Sequence, residues 1–407
     1  MRLKVSKEFL FQTLFIACVS VPYLNNYELT LAVWGFTFLV SVRKSYSLQI
    51  VKFISFFVAI FIIAFFSAMN KDFKWYDYFR DIAYLFKPII GLLVGYQLCK
   101  KHISKPLNLL VYGGVIIAIL HLIVVAYSLM FLNIRTMHNL RGHAGYFSDY
   151  EVYALIILIF HKKFQLDISR KKIKWFIGII ALSCFLYLAR SNFIQFFILF
   201  MAMKGYFVLT KKSIIVVSTL ILVSFASYAA IYTYNPNRGA KGLEAFLFKI
   251  KNAPVEAFKT KVDVNNWKDF NDNYRSYENI LTVRQVTNKG TSSVLFGEGL
   301  GSSIDLKKKV WLQSSYMRYI PFLHNGYMTI FLKSGIFGVF ILLLSIGFLF
   351  KNPTSENPVV KNINYLIVGT GVYLIVSYWV FMGLYFTVDT KSFIIAYLFA
   401  YRERLFK

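Results

Sequence analysis

The amino-acid sequence predicts an all-α polytopic membrane protein with about twelve transmembrane helices and one large extracytoplasmic loop. Of its 407 residues, 57% are hydrophobic and only 16% are charged, which leaves too little polar surface for a soluble chain. Apolar runs approach or exceed the roughly 20 residues that a bilayer requires. Short connections rich in Lys and Arg recur between these runs.

The apolar runs follow one another along most of the chain. They lie near 8–24, 28–42, 53–68, 82–98, 107–132, 149–161, 173–189, 192–209, 213–234, 322–349, 363–387 and 389–402. The first begins with basic residues, as signal peptides do, but no small-residue cleavage site follows it. We therefore expect it to be retained as a transmembrane helix.

Basic residues predict the orientation of the chain. With the N-terminus in the cytoplasm, the inner connections become "RKSYSLQIVK", "CKKHISKP", "HKKFQLDISRKKIK", "MKGYFVLTKK", "KNPTSENPVVK" and the tail "RERLFK". Such enrichment is typical of cytoplasmic loops, so both termini are expected inside. About half of the 46 basic residues are explained in this way. The net charge of +27 therefore indicates topology, and we expect no nucleic-acid partner.

This topology divides the chain into three parts. Residues 1–234 form transmembrane helices 1–9, 235–320 form the large outer loop, and 321–407 form helices 10–12. The loop has helix-compatible stretches near 241–259 and 274–289 and is too long for a simple connection. We find no metal-ligand spacing, phosphate-binding glycine loop, nucleophile elbow or disulfide framework in the sequence.

Two arginines are expected at the outer surface before or between helices. Arg141 lies in "RTMHNLRGHAGYFSDYE", where it either binds an anionic group or is an ordinary loop residue. Arg190 lies in "FLYLARSNFIQFF", inside an apolar run that is barely long enough for two helices. An arginine pulled into the outer leaflet has to be paired, line a wet cavity or extend towards the interface. Its guanidinium is suited to phosphate.

The outer loop contributes a third arginine and a group of glycines. Arg284 occurs in "ENILTVRQVTNKG", and taken alone it could be a surface residue. The following "SSVLFGEGLGSS" contains Gly299 and Gly301 without the strand–helix context of a dinucleotide site. A sharp turn or a close backbone approach is the better interpretation.

Polar residues also mark the start of the tenth span, "YIPFLHNGYMTIFLKSGIFGVFILLL". Pro321 fits the first position of a helix, which would place His324 one turn inside it. At the outer rim, His324 could act as a general base, because the ordinary pKa of histidine suits that role. Alternatively, it is an interfacial residue. Asn325 could orient a sugar hydroxyl or cap the helix. Lys333, about 13 Å deeper, should face a polar interior and could contact a diphosphate.

These motifs together resemble the O-antigen ligase and O-antigen polymerase (Wzy-type) superfamily of bacterial inner membranes. The resemblance runs from Arg141 to the C-terminus and rests on the order of its motifs. They are Arg141-Gly145-Phe147, Ala189-Arg190-Ser191, Arg284 with the Gly297–Gly301 segment, and His324-Asn325 with Gly335 and Gly338. Glu298 within the glycine segment and Glu151 after the first motif depart from the family pattern.

The resemblance implies a GT-C-type, metal-independent glycosyltransferase in the inner membrane, with its active site facing the periplasm and no cofactor. Its substrate would be an oligosaccharide linked to undecaprenyl diphosphate. His324 would be the base, Arg141, Arg190 and Arg284 would bind the diphosphate, and Asn325, Gly299 and Gly301 would position substrate. Lys333 is a further candidate contact that the family pattern does not include.

Several functions stay open on this basis. We favour a polymerase, which could work with a chain-length regulator protein, over a ligase that transfers the glycan to lipid A-core. A transporter of lipid-linked sugars is the non-enzyme alternative, but the two matching halves that it predicts are not evident. A membrane O-acyltransferase would use an intramembrane histidine, for which His121 is the better candidate. We interpret His121 as a helix-packing residue.

Overall fold

A computed structural model describes residues 6–69, 71–101, 103–134, 136–145, 148–208, 210–240, 242–312 and 315–406. It is 74% helical. Its elements are α1 Lys7–Ser20, α2 Tyr27–Ser41, α3 Leu48–Ala68, α4 Trp75–Lys100, α5 Pro106–Met130, α6 Met137–Ala144, α7 Asp149–Ile159, α8 Arg170–Leu186, α9 Arg190–Met203, α10 Lys211–Tyr234, α11 Leu243–Phe258, α12 Trp267–Asp272, α13 Tyr274–Asn288, α14 Thr291–Phe296, β1 Ile304–Leu312, β2 Ser315–Ile320, α15 Gly326–Phe348, α16 Pro358–Val380 and α17 Lys391–Leu405.

Each predicted apolar span coincides with a helix of this structure. By length and composition, seven helical segments within the described ranges could cross a membrane: Lys7–Leu24, α3, α4, α5, α10, α15 and α16. Helices α2 and α9 are apolar but shorter. The chain is therefore a helical protein with several apolar helices that suit a membrane, and the count of twelve spans stays a prediction.

The last helix lies at the centre of the helical bundle. Residues along α17, from Lys391 to Ala400, are buried almost without interruption. Gly95 of α4 allows the close approach of α17, because a Cβ there would lie 2.2 Å from the carbonyl oxygen of Phe393. Small residues at a helix contact are typical of membrane bundles, because they let the backbones pack closely.

The segment 235–320 is joined to the bundle at a break in α15. At Gly335 the backbone has φ 64° and ψ −162°, so its helical hydrogen bonding is interrupted there. The carbonyl oxygens of Leu332 and Lys333, which have no helical partner at this break, accept the backbone N–H groups of Glu298 and Gly299, at 2.7 and 3.1 Å. Gly299 has φ +84°, and a Cβ there would lie 2.5 Å from the backbone nitrogen of Ala68. The glycine segment therefore packs its backbone directly against α3 and α15.

A buried ion pair fixes the same junction. Nζ of Lys333 lies 2.5 Å from Oδ2 of Asp81 on α4, and both side chains are fully buried. Lys333 also donates to the carbonyl oxygen of Ser302, and the Asp81 carboxylate accepts the N–H of Gly301 at 2.7 Å. Lys333 thus faces a polar interior, as expected, and connects α15, α4 and the glycine segment.

The segment 235–320 contains the two expected helical stretches as α11 and α13. It also contains an antiparallel hairpin, β1–β2, in which Trp311 pairs with Tyr316. This hairpin was not predicted from the sequence. The Tyr277 hydroxyl of α13 donates to the carbonyl oxygen of Leu306 at 2.6 Å. This bond holds α13 against the base of the hairpin.

Loss of the buried lysine should destabilise the protein strongly. Lys333→Ala leaves the buried Asp81 carboxylate with only the partly exposed Arg80, 3.2 Å away, as its counter-charge, at an expected cost of about 3 kcal/mol. Thermal unfolding of the purified protein in detergent measures this effect. Lys309→Ala, at an exposed lysine of β1, is the control and should unfold like wild type. Equal unfolding temperatures for the two variants would contradict a structural role for Lys333.

Candidate functional site

His324 lies in a short irregular segment between β2 and α15. The expectation that Pro321 opens the helix is wrong, because α15 begins at Gly326 and Asn325 is its N-cap. Oδ1 of Asn325 accepts the N–H of Met328 at 3.2 Å, and the N–H of Leu323 is held by the Thr329 hydroxyl at 3.0 Å. These bonds fix His324 just before the helix instead of one turn inside it.

A buried carboxylate orients the His324 ring. Both carboxylate oxygens of Glu278, on α13, lie 3.0 Å from Nδ1, and Oε2 also accepts the backbone N–H of His324 at 3.1 Å. The Glu278 side chain is 1% exposed, whereas that of His324 is 47% exposed. A carboxylate at Nδ1 favours the tautomer that carries its proton there, which leaves Nε2 as the basic nitrogen. We call this pair the Glu278–His324 dyad.

The surroundings raise the pKa of His324 above its ordinary value. Burial of the ring acts to lower the pKa, but the negative charge of Glu278 and its hydrogen bond to the ring act more strongly in the other direction. Arg275 acts to lower the pKa, and Glu256 acts to raise it. The dyad therefore forms a base that is stronger than an isolated histidine.

Three arginines from separate elements lie near the dyad. Arg190, the first residue of α9, interacts electrostatically with Arg141 of α6, with Arg275 of α13 and with Glu256 of α11. Arg275 and Glu256 also act on His324. We call Arg141, Arg190 and Arg275 the arginine cluster. Two of the predicted diphosphate ligands, Arg141 and Arg190, are thus linked to the predicted base through Arg275 and Glu256.

Glu256 is the acidic neighbour of this cluster. Burial raises its pKa, while the charges of Arg275 and Arg190 oppose that rise. In the part of the chain that the structure describes, neither Arg190 nor Arg275 has a carboxylate oxygen within the 4.0 Å of an ion pair. Arg190 and Arg275, two positive charges beside one carboxylate, therefore keep an excess of positive charge.

The other two predicted diphosphate ligands lie elsewhere. Arg284 is exposed on α13, nine residues after Arg275, so helix geometry places the two side chains on opposite faces. Its neighbour Val283 lines an apolar groove of about 350 Å³ along α15. Lys333 is enclosed in its pair with Asp81. The structure does not bring either residue into the arginine cluster.

Arg275 and Glu278 are the site residues that the sequence analysis missed. They are three residues apart in "YRSYENI", which places them about 60° apart on one face of α13. An acidic and a basic residue at this spacing in a predicted helix were the available signal. That signal is weak, since pairs of this kind also occur on ordinary solvent-exposed helices.

The residues expected to position substrate differ in their placement. Gly299 and Gly301 form the turn that packs against α3 and α15, so they lie at the junction and not beside His324. Asn325 is 2% exposed, and its Nδ2 has no hydrogen-bond partner among the described residues. Asn325 is therefore the helix N-cap, and its amide nitrogen is enclosed next to the dyad.

An aromatic floor lies beside the arginine cluster. Tyr187 and Ala189, which precede Arg190, pack against Phe381 and Phe386. The guanidinium carbon of Arg275 lies 5.8 Å from the centroid of the Phe381 ring. Within the described ranges, no three His, Cys, Asp or Glu side chains form a group that could hold a metal ion. The arrangement combines a base, three cations and an apolar surface.

Comparisons with protein-family models and curated sequences identify no relative of this chain. No protein-family model matches the chain, and no curated protein sequence matches it. The resemblance to the ligase and polymerase superfamily therefore rests on the sequence motifs alone, and the geometry of the site has to be considered on its own terms.

Proposed function

We propose that this protein is a glycosyltransferase that polymerises a surface polysaccharide from lipid-linked repeat units. It would transfer the growing glycan from undecaprenyl diphosphate to a sugar hydroxyl of the next lipid-linked unit, at the periplasmic face of the inner membrane. The observation that carries this proposal is the Glu278–His324 dyad beside the arginine cluster. It supplies a proton acceptor for the hydroxyl and positive charge for the leaving diphosphate.

The chemistry follows from these two parts. Nε2 of His324 takes the proton of the acceptor hydroxyl, and the hydroxyl oxygen attacks the anomeric carbon. The bond from that carbon to the diphosphate oxygen breaks, and the diphosphate leaves with the bonding electron pair. Attack opposite the leaving group inverts the anomeric configuration. Glu278 stabilises the imidazolium that forms, as the carboxylate partners of catalytic histidines do.

The arginine cluster would stabilise the leaving group. Guanidinium groups present several N–H donors in a planar fork that matches phosphate oxygens, and their charge needs no metal ion. Preorganised positive charge where negative charge develops is commonly the largest contribution to catalysis. Arg275 replaces Arg284 in this assignment, and Lys333 is left out of it.

The non-enzyme and acyltransferase alternatives fit the site less well. A transporter has no need of a base whose ring is oriented by a buried carboxylate. The acyltransferase candidate His121 is 5% exposed, and its Nδ1 is bonded to the Ser183 hydroxyl at 2.8 Å. It is therefore enclosed between helices, away from an incoming substrate. A ligase would use the same site with a different acceptor.

Two arginines of α13 should differ in their importance. The gene would be deleted in its host, and wild type, Arg275→Ala and Arg284→Ala would be returned at equal membrane levels. Because Arg275 lies in the cluster and Arg284 on the opposite face, we expect Arg275→Ala to lose about 100-fold or more of the activity and Arg284→Ala to stay near wild type. Gel analysis of the surface polysaccharide measures chain length.

The same gel separates the possible functions. His324→Ala should remove polymer as the gene deletion does, because the base is lost. Single repeat units attached to lipid A-core would identify a polymerase. Long chains that remain on undecaprenyl diphosphate, with no attached glycan, would identify the ligase. A normal ladder from both His324→Ala and Arg275→Ala would contradict the proposed mechanism.

The pH dependence of the reaction should report the dyad. Only neutral His324 acts as a base, so kcat/KM should rise with pH through the raised pKa of this residue. Glu278→Gln removes the charge that raises the pKa, so the rise should move to lower pH while the maximum activity falls. Glu256→Gln is the matched control, with a smaller shift in the same direction. An unchanged profile in Glu278→Gln would contradict His324 as the base.

The proposed orientation can be tested with single cysteines. The native residues Cys18, Cys99 and Cys184 are buried, so their background reaction should be low. Lys268→Cys is in the outer segment and Thr354→Cys is in the connection between α15 and α16, and both native positions are exposed. In intact cells, an impermeant maleimide that crosses only the outer membrane should label the first and not the second. The reverse pattern would place the dyad on the cytoplasmic side.

A further inference from the structure

The turn that carries Arg190 into the site is conformationally strained. Helix α8 ends at Leu186 and α9 begins at Arg190, so three residues determine the direction of the arginine. Leu188, in the middle, has φ +48°, in the left-handed region that a residue with a branched side chain rarely adopts. Such a conformation persists only where surrounding contacts impose it.

Tyr187 supplies those contacts. Its hydroxyl donates to Oε1 of Glu151, on α7, at 3.1 Å, and its ring stacks on His121 of α5 with centroids 3.6 Å apart. Glu151 is fully buried, and Tyr187 is 3% exposed. The tyrosine is therefore held both at its hydroxyl and across its ring face by helices outside the turn.

The same ring also lies beside the supports of the other two arginines. A Cβ at Gly145, the C-cap of α6, would lie 3.4 Å from Cε1 of Tyr187, and the N–H of Gly145 bonds to the carbonyl oxygen of Arg141. On another side, Tyr187 belongs to the aromatic floor that includes Phe381, over which Arg275 lies. One side chain thus lies next to the supports of all members of the arginine cluster.

We propose that Tyr187, held by Glu151, is a positioning residue that sets the spacing of the arginine cluster and thereby its affinity for a diphosphate. It contacts no reacting atom itself. This inference rests on the proposed function, because it assumes that the cluster binds a lipid diphosphate. It also gives a role to Glu151, one of the two residues that depart from the pattern of the superfamily.

The test is the binding of undecaprenyl diphosphate to the full-length protein in lipid nanodiscs. Arg190→Ala is the reference and should weaken binding by about tenfold or more, because one guanidinium contact is lost. Tyr187→Phe and Glu151→Gln should each weaken binding by about fivefold, a typical effect for residues that act through others. Tyr397→Phe is the matched control: it removes an equally buried hydroxyl, bonded to the carbonyl oxygen of Pro106 at 3.0 Å, and should bind like wild type.

A double variant separates positioning from general destabilisation. If Tyr187 acts through Arg190, Tyr187→Phe should have little further effect in the Arg190→Ala background. Wild-type binding by both Tyr187→Phe and Glu151→Gln, or losses that add fully to that of Arg190→Ala, would overturn the inference. Should Tyr187→Phe fail to fold, Glu151→Gln decides. Wild-type binding by Arg190→Ala would instead overturn the proposed function.

Discussion

A charged side chain within an apolar helix needs a partner inside the protein, and the Lys333–Asp81 pair meets that requirement. The pair fixes more than two helices. Lys333 also bonds to the carbonyl oxygen of Ser302, and its own carbonyl accepts the N–H of Gly299. Lys333 therefore holds the glycine segment to the bundle through both its side chain and its backbone carbonyl.

The position of the dyad depends on that junction. The glycine segment follows α13 and α14 directly and leads into β1, whose Leu306 carbonyl receives the Tyr277 hydroxyl of α13. Helix α13 is therefore held at its C-terminal end by the junction and along its length by the hairpin. Glu278 and Arg275 lie on its face towards His324, so a shift of the junction would separate the carboxylate from the imidazole. This is how residues distant from the chemistry determine its geometry.

The sequence predicted the elements of the fold better than their contacts. Hydropathy located the helices, and the grouping of His324, Arg141 and Arg190 in one site stays a prediction from residue chemistry. Glu278 pairs with His324 over 46 positions, and Asp81 pairs with Lys333 over 252 positions. Such partners are determined by tertiary packing, which no local periodicity reports. Arg275 and Arg284 lie on opposite faces of α13, so the helical phase determines which of them faces His324. A motif that specifies only an arginine in this part of the sequence gives no information on that phase.

The charge balance of the site supports an anionic ligand over a neutral one. The guanidinium groups of Arg141 and Arg275 each repel that of Arg190, and no carboxylate in the described part of the chain forms an ion pair with Arg190 or Arg275. Glu256 is a single carboxylate beside Arg190 and Arg275, so it compensates only part of their charge. A diphosphate would supply the missing negative charge and remove the repulsion. As the glycosidic bond breaks, the negative charge on the diphosphate increases, so the cluster would bind the transition state more tightly than the substrate.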